Sequence, residues 1–277
     1  MMETPGYFRS SDGTPLYGVF HAPGTSAPIQ AKNSKTAVLV APPLFEERKS
    51  AYAALAGLAR TLAGAGFPVL RFDYRGSGES GGDPGARRWD DLAADLAAAG
   101  KTLAKLSGHA GLALTGLRLG ATLGILEADR LEAKILVALA PVTKGAAQAR
   151  AWRMRSKIRA ELSALGQTDP DAHAAAVAQA QAPAAVFDLD GFSVSKAFLA
   201  DLEAIDLLHN PAALECPALL VQISHRTEPA ADSRELAGKL GARCELACLR
   251  MEPFWDRVDE VDPNPLLHLV LNALQSR

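Results

Sequence analysis

The sequence predicts an α/β protein, built as a doubly wound and mostly parallel sheet with a helical cap inserted into it. Three observations lead there. Short, nearly continuous apolar runs recur along the chain, which is how strands buried on both faces read. Ala- and Leu-rich segments of helical length stand between them, so strand and helix alternate through right-handed crossovers. The alternation fails between about residues 145 and 210 and then resumes, which marks an insertion.

Taken in order, Tyr7 to His21 predicts an antiparallel hairpin at the sheet edge. Thr36–Ala41 (TAVLVA) is the first central strand, and PPLFEERKS (Pro42 to Ser50) is the loop after it. A helix over Tyr52 to Ala65 leads to the strand Pro68–Phe72. The glycine-rich turn RGSGES follows, where Asp73 and Arg75 are expected to pair or cap locally, and then a helix over Trp89 to Leu106. Leu112–Thr115 (LALT) is a strand that turns sharply at GLRLG into another helix, and Ile135–Ala140 is the next strand. Within the insertion, ARAWRMRSKIRAELSALG reads as a basic amphipathic helix, DAHAAAVAQAQA as an Ala-rich helix, and FDLDGFSVS as a hairpin around Asp190-Gly191. Strands resume at Ala218–Ile223 (ALLVQI) and CELACL, and PLLHLVLNAL closes the chain as a helix. The expected division is a core of residues 1–144 and 211–277 with a cap of 145–210.

Composition narrows the function. With 48% hydrophobic and 22% charged residues and a net charge of -2, the chain gives no electrostatic reason to expect nucleic acid. No stretch is long enough for a membrane span, and the start MMETPGYFRSSDGTPLYG lacks the basic flank and apolar block of a signal peptide. The three cysteines have no CxxC spacing, so neither disulfides nor structural zinc are expected, and a reducing cytoplasm is the expected compartment. Cys244 and Cys248 share a strand face and read as buried small hydrophobes. The histidines His21, His109, His173, His209 and His225 are scattered with no i, i+4 pair, so no metal site is expected. No cofactor is expected either, because RGSGES lacks both GxGxxG and a phosphate-loop lysine.

RFDYRGSGESGG (Arg71 to Gly82), the strand-turn-helix around GLRLG, and ALLVQI following a cap resemble the α/β-hydrolase superfamily, in particular its serine-aminopeptidase-like branch. PPLFEERKS, GLRLGA and EPFW together resemble the second of two hydrolase-like families associated with bacterial exosortase systems, which implies a link to extracellular polysaccharide and protein sorting. The resemblance implies a nucleophilic serine on the elbow, an acid after a late strand and a histidine after the final strand.

At those places stand Arg118, Arg226 and Pro253. A guanidinium stays protonated and has no lone pair to attack a carbonyl, so Arg118 is no nucleophile. Thr122 in GATLG lies a turn too far into the helix to be the elbow residue. His268 reads as a packing residue at the core margin of the closing helix. The oxyanion-hole amides would come from Leu44 or Phe45 and from Leu119. Glu46, Glu47, Arg48 and Lys49 crowd the mouth of the site. One carboxylate is expected to neutralise Arg118, while Arg48 and Lys49 read equally well as a solvated face. His225 and Glu228 lie in the acid loop, His225 either facing the pocket or in solvent.

Two functions fit these residues. One is a noncatalytic binding protein for a small anion or a protein partner, centred on Arg118. The other is a hydrolase that uses Glu46 or Glu47 to activate water on an ester or thioester. The first is favoured, because a cation beside the carboxylate lowers its basicity.

Overall fold

The computed structural model describes residues 2–24, 36–109, 111–165, 186–189, 191–210, 213–257 and 261–276. Ten strands and seven α-helices are found among them. They are β1 (Glu3–Arg9), β2 (Pro15–His21), β3 (Thr36–Ala41), α1 (Phe45–Gly64), β4 (Val69–Phe72), α2 (Trp89–Ser107), β5 (Gly111–Leu117), α3 (Leu119–Glu127) and β6 (Ile135–Leu139). Then come α4 (Gly145–Leu165), β7 (Val186–Leu189), β8 (Phe192–Ser195), α5 (Lys196–Glu203), β9 (Ala218–Ser224), α6 (Ala231–Leu240), β10 (Cys244–Arg250) and α7 (Asn264–Gln275).

Eight strands form one sheet in the order β1-β2-β4-β3-β5-β6-β9-β10. The β1–β2 hairpin is antiparallel and β2 joins β4 antiparallel, whereas every pairing from β4 to β10 is parallel. The expected α/β class is therefore the observed one. Its cause is visible in the side chains, since alternate residues of each strand feed different cores. Leu39, Leu114 and Leu136 pack with Leu92, Leu96 and Leu103 of α2. Val38, Val40 and Val137 pack with Leu58 and Leu62 of α1 and Val270 of α7. Each such buried side chain contributes roughly 1.5–3 kcal/mol.

Two details correct the sequence reading. PPLFEERKS is a loop only as far as Leu44; Phe45 onward is the first turns of α1, with Glu46 and Glu47 where the helix dipole favours acids. The expected hairpin begins at Glu3, four residues before Tyr7.

Between β6 and β9 the chain leaves the sheet to form α4, the antiparallel β7–β8 pair and α5. Leu189 pairs with Phe192, and Gly191 holds φ 88°. Asp190, His173 and the Ala-rich segment DAHAAAVAQAQA lie outside the described residues. The parallel register aligns Ala41 with Gly116, Leu117 with Leu139, and Leu139 with Val221. That alignment brings the loops after β3, β5, β6 and β9 to one end of the sheet, where such folds place their sites.

Candidate functional site

The sharp turn between β5 and α3 sets the site. Arg118 holds φ 55° and ψ -120°, a conformation that costs a non-glycine residue about 1–3 kcal/mol. Its neighbours make it possible. A Cβ on Gly116 would come within 2.5 Å of the Gly120 carbonyl oxygen, and one on Gly120 within 2.3 Å of that of Ala41. Only glycines let strand, turn and helix approach this closely. Thr122 is fully buried one turn into α3, where its hydroxyl accepts the Val142 N–H at 2.9 Å. It serves as an internal tie and is not raised on the elbow.

The Arg118 side chain is largely occupied by the protein. Nε and Nη2 each donate to Glu47 Oε1 at 3.2 Å, Nη2 also donates to Gln148 Oε1 at 3.0 Å, and Nη1 donates to the Ala140 carbonyl at 3.3 Å. Four of the five guanidinium N–H groups are thereby used. The Trp255 ring covers the guanidinium, with its centroid 5.2 Å from Cζ. Glu47 is 5% exposed, and its Oε2 has no hydrogen-bond partner among the described residues. Burial raises the Glu47 pKa and the Arg118 charge opposes the rise without cancelling it. The arginine acts in the expected direction, but the expectation of a net lowering is corrected, since desolvation outweighs one cation.

The other expected positions are dispersed. Pro253 precedes a 3-10 turn (Phe254–Asp256), which brings Trp255 to the elbow. Arg226, His225 and Glu228 are exposed in the loop after β9. His225 Nε2 lies 3.2 Å from Glu252, which also accepts from Arg257 at 2.8 Å. The Glu228 carbonyl accepts from Gln222 Nε2 at 3.3 Å, and Gln222 Oε1 takes the Ala230 N–H at 2.6 Å and the Ser233 hydroxyl at 3.0 Å. Gln222 thus fixes the loop where a catalytic acid was expected.

On the oxyanion side Leu44, Phe45 and Leu119 are all buried. Phe45, at φ 55°, packs edge-on against Trp152 at 5.1 Å, Phe192 at 5.7 Å and Phe198 at 6.0 Å. The Arg87 guanidinium lies 4.8 Å from the Phe45 centroid, and burial pulls its pKa down to about 10.

Several pairings differ from the sequence reading. Asp73 and Arg75 do not pair with each other, although Asp73 does cap the local turn by accepting the Glu79 N–H at 3.3 Å. Asp73 takes Arg48 at 2.6 Å, which draws Arg48 in from the expected solvated face. Arg75 instead binds Asp12, Asp91 and Asp95 at 2.7–2.9 Å. Lys49 stays exposed, 3.2 Å from Glu46. His268 is exposed on the outer side of α7, and Cys244 and Cys248 are only half-buried because β10 is an edge strand. Gln148, Trp152 and Trp255 were not singled out as site residues, since their contacts, to Arg118 or, for Trp152, to Phe45, span long stretches of sequence. The one usable signal was Trp255, two residues past the vacated histidine position.

Among the described residues no cluster of three or more His, Cys, Asp or Glu side chains is arranged to hold a metal, and no helix is long and apolar enough to cross a membrane. A cavity of about 270 Å³ opens beside Arg118, lined also by Trp255, Gln222, Ser233 and Arg226.

Residues 35–244 match the family described as serine aminopeptidase, S33. No curated protein matches the chain. Among solved structures, an esterase from Pyrococcus furiosus aligns with a TM-score of 0.62 at 17% identity, covering 99% of this chain and 91% of its own. Est1E from Butyrivibrio proteoclasticus, solved with ferulic acid bound, aligns at 0.67 and 18%, covering 98% and 96%. The esterase domain of a Rhodothermus marinus protein aligns at 0.61 and 20%, covering 100% and 97%. At these identities the likeness is one of fold, and the fold is that of the α/β-hydrolases.

Proposed function

The chain belongs to the serine aminopeptidase S33 family, and from that membership we propose that it is a noncatalytic member which binds a small anion at the former nucleophile. The observation that carries this reading is Arg118 itself. A serine there needs a base at hydrogen-bond distance and an acid behind it, whereas the elbow here meets an indole, a glutamine and a buried carboxylate. Hydrolysis through Glu46 or Glu47 is disfavoured by position. Glu47 is shut away from water, and Glu46 is tied to Lys49 away from Arg118.

Treatment with a fluorophosphonate probe and with short activated esters tests the proposal. The expected outcome is no labelled hydroxyl and no turnover above buffer; stoichiometric labelling at any serine or threonine refutes it.

A protein partner is the second reading, favoured by Met154, Ile158 and Leu162, which stand 65%, 50% and 63% exposed at i, i+4 spacing along α4. Residues 145–210 act as a cap in either case. Assignment to the exosortase-associated branch rests on PPLFEERKS, GLRLGA and EPFW, and genes of that system beside this one would support it. Cys216, Cys244 and Cys248, each a thiol outside any disulfide, suit a reducing cytoplasm.

A further inference from the structure

We propose that the cavity beside Arg118 binds a small monocarboxylate with a short apolar body; this rests on the noncatalytic reading above and names its ligand class. The cavity lies against β9, at the end of the sheet where the β6–β9 pairing ends at Leu139 and Val221. Its wall is apolar through Leu220, Ile223, Leu236 and Trp255. Two arginines, Arg118 and Arg226, border it, and among the described residues no acidic one does.

Most polar side chains between them are already engaged. Gln222 bonds to Ser224, Ser233 and the local backbone, which leaves the hydroxyls of Thr143 and Ser224 as the neutral donors of the lining. The positive charge is less well matched. Arg118 retains one N–H uncommitted among the described residues, facing a single carboxylate whose pKa is raised. The Arg226 guanidinium makes no ion pair among the described residues and stands exposed at the rim.

A carboxylate fits the guanidinium fork of Arg226 by shape as well as charge, and Arg118 adds its one remaining N–H. The cavity volume limits the apolar body behind that head. At ~30 Å³ per water-sized group, 270 Å³ accommodates about nine non-hydrogen atoms. An aliphatic or aromatic acid of that size places its head between the arginines and its body on Trp255 and Leu236. Inorganic phosphate meets the charge but leaves the apolar wall uncovered.

Titration calorimetry with hexanoate, hexan-1-ol and inorganic phosphate tests the site. Hexanoate is expected to bind about tenfold tighter than the alcohol, the worth of one charge-assisted contact, and phosphate more weakly than hexanoate. Arg226→Gln is expected to weaken hexanoate about fivefold while leaving the alcohol and Tm unchanged. Thr143→Phe, which fills the cavity from its rim, is expected to abolish binding of both. Equal affinity for acid and alcohol, tighter binding of phosphate, or indifference to both variants overturns the proposal. Absence of all binding overturns it too, and leaves the noncatalytic reading standing if probe labelling and ester turnover are also absent. Labelling or turnover defeats that reading whichever way the calorimetry falls.

Discussion

Arg75 in the glycine-rich loop and Arg118 on the elbow are both sunk into the protein, with side chains 9% and 18% exposed, yet they are neutralised in opposite fashion. Arg75 is surrounded by three carboxylates, and the Ser10 hydroxyl bridges it to Asp95. Burial alone would lower its pKa; hydrogen bonds and charge from Asp95, with Asp91 and Asp12, raise it instead. Arg118 has one carboxylate, itself burdened by desolvation, plus neutral acceptors and an indole. The first arrangement is a closed clamp that ties the edge hairpin to α2. The second leaves cationic character next to a cavity. Counting carboxylates around a buried guanidinium therefore separates a structural arginine from one with charge left to offer.

The sharpest way to break this contrast is to open the clamp. Asp95→Ala removes the fully buried carboxylate that holds Arg75 and accepts from Ser10, and a loss of about 3–5 kcal/mol is expected in urea unfolding. A loss under about 1 kcal/mol would put Arg75 in the class of surface pairs.

Arg118→Met should cost less, about 2 kcal/mol, because its charge is partly exposed and its partner is already disfavoured as an anion. Adding Glu47→Gln should recover most of that loss, since it removes the orphaned charge. A double mutant no more stable than the single one breaks the view that Glu47 is there to neutralise Arg118.

Acidification sharpens the comparison at a third buried group. His21 is fully buried and accepts from Arg71 Nε at 3.2 Å. Burial lowers its pKa, with Glu3 opposing and Arg71 adding to the fall. The unfolded state then binds the proton first, so stability falls as pH drops below about 6.5, by about 1.4 kcal/mol per unit of depression. Glu47 has the reverse sign. Its folded pKa is raised, so its penalty is present at neutral pH and is relieved as pH falls toward the unfolded carboxylate value. Thermal melts between pH 7.5 and 5.5 on wild type and His21→Gln are expected to show a flatter profile in the variant. Equal slopes would remove His21 from the balance.

The smallest expected effect is on activity. Arg118→Ser should gain no ester turnover and no fluorophosphonate labelling, because Trp255 and Gln148 supply neither base nor orienting acid. Measurable turnover would show that a base does serve the elbow, with Glu47, the carboxylate beside it, the first candidate.

Much of this was legible in the chain itself. TAVLVA, ILVALA and ALLVQI announce strands buried on both faces because almost every residue in them is apolar, and GLRLG announces the elbow because its two glycines meet backbone on both flanks. PPLFEERKS was misread as loop throughout. Its charges resemble a solvated turn, and the helix starts early because Phe45 is held by Trp152 and Phe198, contacts a local reading cannot contain.

The sequence by itself determined the sheet and the presence of an arginine where a nucleophile would stand, for these depend on local periodicity and on residue identity at one turn. Partnership was decided only by the tertiary structure. Glu47 rather than Glu46 meets Arg118 because the helical rotation beginning at Phe45 turns one inward and the other toward Lys49. Gln148 and Trp255 complete the cluster from segments 30 and 137 residues beyond the elbow. The Glu47 pKa obeyed the same logic: a neighbouring cation is visible in a sequence, whereas the desolvation that outweighs it exists only once the chain has closed around the carboxylate.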